Sequence, residues 1–444
     1  MAATPRPVSA QPIDLSRSER EAEPSPPGLR VVMDIRPIQD PERSPATARY
    51  LEGLLGAYDA APLAGESFAF LLQSDLDDPT TAFEHLDVVG RRLLPPTRLL
   101  RGGALTVDPF LLRGASLGAA WRAERSGAAG AVYHASAGAS PLFSRIPIVV
   151  TLLDLAPWEL PGRFQRGPAA RFGQRLRVQL LRDAAAVIVG TEAVARSARR
   201  LLRIRPDRLR VVPLAAHPAF APWSGDGPDV AAASERDHLG LPVRYLVYSG
   251  RYDARHDMAT LLDALARLAK VPRPSGLRAD VPWPPRVLLV GASPDDRAGL
   301  ARAALRFDVG EALAYAPALP PARLAALVRG ARAAILPAVS DAAGLPALDA
   351  LAAGVPVVAS GVGALPEIVG KAGIIVEPRD PDRLAEALRT AWADERVHRR
   401  LAGLALERAA GHQRSWADVA ADTRRVYAEV GVRNAGPPAV VSSG

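Results

Sequence analysis

Short apolar runs alternate along the chain with longer segments in which apolar residues recur at helical spacing. The apolar runs include SFAFLLQ (67–73), AAVIVGT (185–191), RYLVYSG (244–250) and RVLLVGA (286–292). Such runs, bounded by glycine, proline or polar residues, predict buried strands, and the periodic segments, among them 258–269 and 381–393, predict helices. Strands that alternate with helices favour a mostly parallel sheet covered on both faces. The pattern therefore predicts an α/β protein.

The pattern stops and restarts around residues 217–240, which predicts two domains joined by a linker. A chain of 444 residues is too long for a single core and suits two domains. We predict Rossmann-like domains at 29–216 and 241–412 that face each other across a central cleft. We expect a final helix at 413–432 to cross back and brace the first domain. The flanking segments 1–28 and 433–444 are predicted to be a disordered leader and a disordered tail.

Composition narrows the classes of partner. The sequence has no cysteine, which excludes disulfides and thiolate zinc sites. The net charge of +8 comes almost entirely from arginine, since Lys270 and Lys371 are the only lysines. The arginines are spread among acidic residues, so we predict no nucleic-acid face, only attraction to anionic substrates or membrane surfaces. No apolar run is long enough to span a bilayer, which predicts a cytoplasmic protein and leaves peripheral contact with the inner face of a membrane open.

The stretch SDAAGLPALDALAAGVPVVASGVGALP (340–366) has the strongest chemical pattern. It predicts a loop, a helix that starts near Pro346, a buried strand and a glycine-rich turn. A helix N-terminus that faces such a turn, at the carboxyl ends of parallel strands, is an anion site. Asp341 and Asp349 lie across this site, although Asp341 also suits a cap for the following helix and Asp349 also suits an exposed helix position. The stretch indicates a nucleotide-phosphate pocket.

These segments resemble the retaining GT-B glycosyltransferases of the glycosyl transferases group 1 type. The resemblance covers roughly residues 30–430. It rests on GRYDARHDMATLLDALARL (250–268), on the 340–360 stretch, on GALPEIVGKAGIIVEPRDPDRLAEAL (363–388), and in the first half on IPIVVTLLDLAPWELP and AAAVIVGTEAVARS. It implies a nucleotide sugar on the second domain and an acceptor on the first. It also implies that basic side chains and a helix N-terminus, with no metal and no cofactor, stabilise the leaving diphosphate.

The resemblance assigns donor binding to Arg251, Arg255, His256, Gly344, Leu345, Pro346, Asp349 and Glu367. Arg251 matches an arginine of the family, and an ion pair is the alternative for it. His256 stands in the column of a family lysine, so Arg255 is the alternative source of positive charge. A solvent-facing loop position is the other interpretation of His256. Asp349 matches the acid that would accept hydrogen bonds from a ribose diol.

The catalytic candidates are Asp341, Asp154 and His134. Asp341 and Asp349 stand where the family has two glutamates, and Ala342–Ala343 replace its Gly-Phe pair. Leu153 occupies the place of the family's active-site histidine. Asp154 and His134 are therefore the remaining polar candidates on the acceptor side. Both have a structural alternative, a cap for Asp154 and a strand-end core position for His134.

The favoured hypothesis is a hexosyltransferase that moves a sugar from a UDP- or GDP-linked donor to a glycan or a lipid-linked acceptor, as in cell-envelope polysaccharide synthesis. The alternative is a non-catalytic GT-B homologue that acts as partner or scaffold for another glycosyltransferase, because several active-site positions of the family are replaced. An epimerase or a pyridoxal-dependent phosphorylase on the same fold has no residue pattern in its favour.

Overall fold

The computed structural model describes residues 28–96, 107–113, 130–136, 140–411 and 413–432. The predicted leader at 1–28, except Gly28, and the predicted tail at 433–444 lie outside the described residues. Apolar residues predict a further weak strand at 104–107; of that segment only Val107 is described, and it is helical.

The first half is built on a parallel sheet of seven strands in the order β3-β2-β1-β4-β5-β6-β7. The strands are β1 (Leu29–Asp34), β2 (Ser67–Gln73), β3 (Val88–Leu94), β4 (Gly130–Ala135), β5 (Ile148–Thr151), β6 (Ala186–Val189) and β7 (Leu209–Val211). β1 lies in the interior of the sheet, next to the central strand β4, and its Val31 pairs with Phe68 on one side and Val132 on the other. All three side chains are buried, as expected for strands covered on both faces.

The helices of the first half are α1 (Arg36–Gln39), α2 (Pro45–Ala60), α3 (107–113), α4 (Ala156–Glu159), α5 (Pro161–Phe164), α6 (Pro168–Asp183) and α7 (Glu192–Leu202). α2 begins with Pro45, which needs no hydrogen-bond acceptor at a first helical position, and buries Leu51, Leu54 and Leu55 completely. The sequence predicts one helix over 163–182. The structure has two instead, because Pro168 lacks an N–H and starts a new helix.

The second half is built on six parallel strands in the order β10-β9-β8-β11-β12-β13. The strands are β8 (Leu246–Ser249), β9 (Val287–Val290), β10 (Leu313–Ala316), β11 (Ala333–Leu336), β12 (Val357–Ser360) and β13 (Gly373–Val376). The helices are α8 (Val230–His238), α9 (Met258–Ala269), α10 (Pro294–Arg306), α11 (Pro321–Arg329), α12 (Leu345–Ala352), α13 (Leu365–Val369), α14 (Pro381–Ala393), α15 (Glu395–Ala410) and α16 (Trp416–Val432).

The predicted linker 217–240 contains a helix that the sequence pattern does not indicate. Asp229 is the N-cap residue of α8, and its carboxylate accepts a hydrogen bond from the backbone N–H of Ala232. It packs against α11, and ion pairs join Glu235 to Arg323 and Asp229 to Arg329. This segment is therefore part of the second half. Its contacts are with a helix distant in sequence, which local periodicity does not report.

The last helix crosses back to the first half. Trp416 lies so close to Gly53 of α2 that a Cβ at Gly53 would meet its ring at 2.3 Å. Arg424 pairs with Glu66, and the Tyr427 hydroxyl hydrogen-bonds to His134. Ala343 and Leu345 from the second half also belong to the hydrophobic cluster of the first. The two halves are thus packed together, with the carboxyl ends of both sheets facing one cleft.

Candidate functional site

A cavity of about 430 Å³ lies between the two halves. Most of its walls lie at the ends of strands or in the loops after them. They are Leu153 and Asp154 after β5, Ser249 at the end of β8 with Gly250, Arg251, Arg255 and His256 after it, Val290 and Gly291 at the end of β9, Ala318 and Leu319 after β10, and Ser340–Ala343 after β11. The start of α2 with the two residues before it, and the first part of α12, complete the lining. Loops at the carboxyl ends of parallel strands are the usual ligand site of this class of fold. The cavity is therefore the candidate site.

Asp341 orders the turn that leads into α12. Its Oδ1 accepts hydrogen bonds from the N–H groups of Ala343 (3.1 Å) and Gly344 (2.7 Å). Gly344 has a φ of +62°, a conformation that glycine adopts without strain. Among the described residues, no side chain caps α12 itself. Apart from Pro346, which has no N–H, the first turn therefore keeps N–H groups that can face an anion. Burial raises the pKa of Asp341, although the charge of His256 and these two hydrogen bonds oppose that rise.

Arg251 and Arg255 enter the cavity from the loop after β8. Arg251 Nε donates to Asp253 (2.8 Å) and Nη1 donates to the Arg43 carbonyl (3.1 Å). Arg255 pairs with Asp154 across the cleft through Nη2 (2.5 Å) and also pairs with Asp253. Burial alone would lower the pKa of Arg255, but Asp154 and Asp253 outweigh it and raise that pKa. Both arginines are cations that already have anionic or carbonyl partners.

Asp154 has the capping role that the sequence suggested as its structural alternative, and it also forms an ion pair. Its Oδ1 accepts from the Ala156 N–H at 2.9 Å, so it stabilises the start of α4. It also holds the guanidinium of Arg255. Next to it, Leu153 lines the cavity and is almost fully buried. The wall that the first half contributes to the cavity is therefore apolar at Leu153, the position where the resemblance implies a histidine.

His256 is not the solvent-facing loop residue that the sequence suggested as its likelier role. Its ring packs edge-on against Tyr248, with ring centroids 5.8 Å apart. Its Nδ1 is buried and has no hydrogen-bond partner within the described part of the chain. Burial lowers the pKa of His256, against the charges of Asp341 and Asp253. This lowering disfavours a positive charge on His256, whereas Arg251 and Arg255 are cations in the same cavity.

Asp349 is not an exposed helix residue. It is 5% exposed, and its two carboxylate oxygens accept a bidentate pair of hydrogen bonds from Arg49 of α2. Its Oδ1 also accepts from the backbone N–H of His217 at 3.0 Å. Sequence reasoning missed Arg49. Its position on α2, away from the face that buries Leu51 and Leu54, gives no signal for a partner 300 residues away.

His134 lies in the core of the first half and does not reach the cleft. It is fully buried, its Nε2 is 2.8 Å from Thr151 Oγ1, and its Nδ1 is 2.5 Å from the Tyr427 hydroxyl. Burial lowers the pKa of His134 to about 3. The catalytic prediction for His134 is therefore corrected: as a residue within β4, not after it, its side chain faces α16.

Glu367 is also placed away from the cavity. Its Oε1 and Oε2 accept from the N–H groups of Glu192 (3.1 Å) and Ala193 (2.9 Å), at the start of α7. It lines a second cavity of about 260 Å³ on the other side of α12. Glu367 thus joins the two halves, and the structure does not bring it together with Arg251 and Asp349. Leu345 and Pro346, by contrast, line the candidate site.

No three His, Asp or Glu side chains among the described residues are arranged to hold a metal ion. None of the helices in the described ranges has the length and apolar character needed to cross a bilayer.

The model of the family "Glycosyl transferases group 1" matches residues 243–394, the segment that supplies most of the cavity wall. These residues form a glycosyl transferases group 1 domain. The chain is 30% identical over 297 residues to a D-inositol 3-phosphate glycosyltransferase of Corynebacterium efficiens, covering 64% of the chain and 66% of that relative. It is 34% identical over 210 residues to the enzyme of that name from Streptomyces griseus, covering 46% of the chain and 43% of the relative. The chain thus spans less than two thirds of the length of these relatives.

Solved structures extend the likeness to nearly the whole chain. A sucrose-phosphate synthase from Thermosynechococcus elongatus has a TM-score of 0.64 at 20% identity, covering 90% of this chain and 98% of that one. The Anabaena protein HepE, solved with UDP-glucose, has a TM-score of 0.61 at 16% identity, covering 90% and 99%. These likenesses confirm the predicted fold, two Rossmann-like domains in the GT-B arrangement. The glycosyl transferases group 1 domain is the second of them.

Proposed function

We propose that this protein transfers a hexose from a nucleotide sugar to a glycan or a lipid-linked acceptor, with retention of configuration at the anomeric carbon. One observation carries the proposal. The interdomain cavity has two arginines, an uncapped helix N-terminus and a buried carboxylate on its donor-side wall. These are the groups that a diphosphate and a ribose require. Together with the glycosyl transferases group 1 domain, they make a nucleotide sugar the best-supported ligand.

The diphosphate is proposed to bind between the start of α12 and the loop after β8. The helix N-terminus offers backbone N–H groups and a positive dipole end. Arg251 and Arg255 offer guanidinium groups that bind phosphate oxygens in a bidentate manner. Their present partners, Asp253 and Asp154, hold them at the edge of the cavity. In the proposed step the bond between the anomeric carbon and the diphosphate breaks, a bond to the acceptor oxygen forms, and the hydroxyl proton of the acceptor passes to the leaving diphosphate. Arg251, Arg255 and the helix N-terminus stabilise the negative charge of that leaving group.

The ribose is proposed to bind Asp349, whose carboxylate can accept hydrogen bonds from both hydroxyls of the diol. Asp349 follows the first turn of α12, so ribose and diphosphate binding use the same helix. This role requires that Arg49, its present partner, gives way.

The base end of the cavity favours uracil over guanine. It is formed by Gly291, Ala318, Leu319 and Leu324, and no described residue that lines this end is acidic. Guanine carries an exocyclic amino donor that calls for an acceptor, whereas backbone groups can serve uracil. Of the two nucleotides that the sequence allowed, we therefore propose UDP. The structure of the fold relative HepE with UDP-glucose supports this choice.

Several further parts of the proposal rest on the family resemblance alone. The acceptor would bind the first domain, and neither a metal nor a cofactor would be needed. The protein would work in the cytoplasm on cell-envelope polysaccharide, with contact at the inner face of the membrane or with a partner glycosyltransferase, and without nucleic acid. Asp341 and Asp154 stay the carboxylate candidates beside the transferred sugar.

Isothermal titration calorimetry with UDP, GDP and ADP tests the donor site. We expect UDP to bind and GDP to bind at least about tenfold more weakly, which corresponds to 1.4 kcal/mol. Transfer or hydrolysis of UDP-hexose would then be assayed in wild type, in Asp349→Ala and in a remote control, Glu429→Ala. Binding without turnover would favour the non-catalytic scaffold, and no binding by any nucleotide would remove the glycosyltransferase proposal.

A further inference from the structure

Arg49 occupies the carboxylate that the proposed function assigns to the ribose. Its Nη1 and Nη2 donate to Asp349 Oδ2 and Oδ1, and the His217 N–H donates to Oδ1 as well. Arg49 comes from α2 in the first half, whereas Asp349 lies on α12 in the second. The contact therefore crosses the cleft at the point where the nucleoside would enter.

The Arg49 guanidinium and the ribose diol would donate the same number of hydrogen bonds to the Asp349 carboxylate. A guanidinium presents two parallel N–H donors to a carboxylate, and a ribose diol presents two O–H donors. With the His217 N–H already on Oδ1, the Asp349 carboxylate cannot hold both at once. One must leave before the other binds.

The Arg49 contact is only partly satisfied on the arginine side. Arg49 Nε is buried without a hydrogen-bond partner in the described structure. A buried donor left without a partner is unfavourable, so this guanidinium can leave Asp349 at a smaller cost than a fully bonded one. By contrast, Arg255 directs Nε and Nη2 to Asp154 and Nη1 to Asp253, so all three of its nitrogens have partners.

We propose that Arg49 competes with the ribose for Asp349 and thereby sets the affinity of the cavity for a uridine nucleotide. This inference rests on the proposed function, because it requires that Asp349 is the ribose acceptor. Arg49 holds the Asp349 carboxylate in the structure, and a nucleoside that binds there replaces it. Arg49 is thus a residue of the acceptor domain that controls access to the donor domain.

The test compares Arg49→Gln with a matched control, Arg210→Gln. Arg210 also makes a bidentate pair, with Glu429 of α16 at 2.8 and 2.6 Å, and its side chain is 24% exposed against 23% for Arg49. It lies away from the cavity. The ligand is uridine, which has no phosphate, so that loss of positive charge does not mask the effect. Calorimetry should show uridine binding about tenfold tighter or more to Arg49→Gln, and unchanged in Arg210→Gln.

A second variant shows that the gain passes through Asp349. Adding Asp349→Asn to Arg49→Gln should abolish the gain in uridine affinity. Arg49→Lys keeps a charge but lacks the fork, so it should give an intermediate gain. It also serves if Arg49→Gln fails to fold.

The outcomes separate the two proposals. If wild type binds UDP but Arg49→Gln binds uridine no more tightly than wild type does, the competition by Arg49 is refuted and the donor site stands. A gain that persists in Arg49→Gln/Asp349→Asn refutes it as well. If neither wild type nor any folded Arg49 variant binds UDP or uridine, the proposed function fails first, and the competition fails with it.

Discussion

Polar residues on the two walls of the cleft differ in whether they reach the cavity. The donor side is the wall formed by the second half of the chain, and the acceptor side is the wall formed by the first half. On the donor side, Asp341, Arg251 and Asp349 lie in loops or on a helix after a strand, and all three line the cavity. On the acceptor side, His134 lies within β4 and is buried against α16. Asp154, by contrast, follows β5 and reaches the cavity. A polar residue reaches this cleft when it comes after the carboxyl end of its strand, and one within the strand is taken into the core.

The comparison also concerns stability. Two ion pairs of the cavity, Arg255–Asp154 and Arg49–Asp349, join the two halves, whereas the hydrogen bonds of His134 lie within the core of the first half. Changes on the first wall should therefore alter ligand affinity, and changes around His134 should alter stability. The predictions below test this difference between ligand affinity and stability. The first is an exception, because it changes the backbone on the donor side and should alter stability.

Gly363→Ala should destabilise the donor wall strongly. Gly363 has a φ of +54°, and a Cβ there would lie 1.8 Å from the Asp341 carbonyl oxygen, so the turn and the Asp341 loop cannot both keep their places. We expect a loss of about 3 kcal/mol or more in the free energy of unfolding, measured by chemical denaturation.

Gly361→Ala is the control for this change, because it lies in the same turn and its Cβ would come no closer than 3.4 Å to any other atom. Equal losses in the two variants would contradict the geometric argument.

His134 should make stability fall in acid. Its folded pKa of about 3 lies below the unfolded value of about 6.5, so the unfolded chain binds the extra proton between these values. The stability contributed is present above pH 6.5 and is lost as pH falls toward 3. We expect this residue alone to cost about 2 kcal/mol at pH 5 relative to pH 8.

The measurement is the free energy of unfolding of wild type and His134→Gln at several pH values. The difference between the two should shrink as the pH falls from 8 to 5. A difference that does not change with pH would show that His134 is not held neutral in the core.

Arg255→Ala should lower the affinity for UDP about tenfold, because it removes a guanidinium proposed to bind the diphosphate. Uridine affinity should hardly change, since uridine has no phosphate. Calorimetry with both ligands gives the result. A similar loss for both would place Arg255 at the nucleoside instead.

His256→Ala should have the smallest effect. Burial lowers the pKa of His256, which disfavours a positive charge on its imidazole, and its Nδ1 has no partner among the described residues. UDP affinity should change less than about threefold and stability by less than about 1 kcal/mol, measured in parallel with Arg255→Ala. A tenfold loss of UDP affinity would make His256 the cation that the family lysine provides.

Local sequence was enough for most helices and strands. The first residues of α7, α9 and α14 follow from the N-cap residues that directly precede each helix, Thr191, Asp257 and Asp380. The glycine-rich turns and apolar runs likewise placed the strands and the loops after them. Because each of these signals acts over a few residues, a single sequence reveals them.

The amino-acid sequence does not predict which side chains from the two halves contact each other. The partner of Asp349 is Arg49, and the partner of His134 is Tyr427, 293 residues away. Nor did it show that α8 packs on α11. A carboxylate or an imidazole accepts many partners with similar energy, so its sequence neighbours do not select one. The packing of the two halves brings Arg49 to Asp349 and α16 to His134. Tertiary structure therefore determines that Asp349 has an arginine as its hydrogen-bond partner.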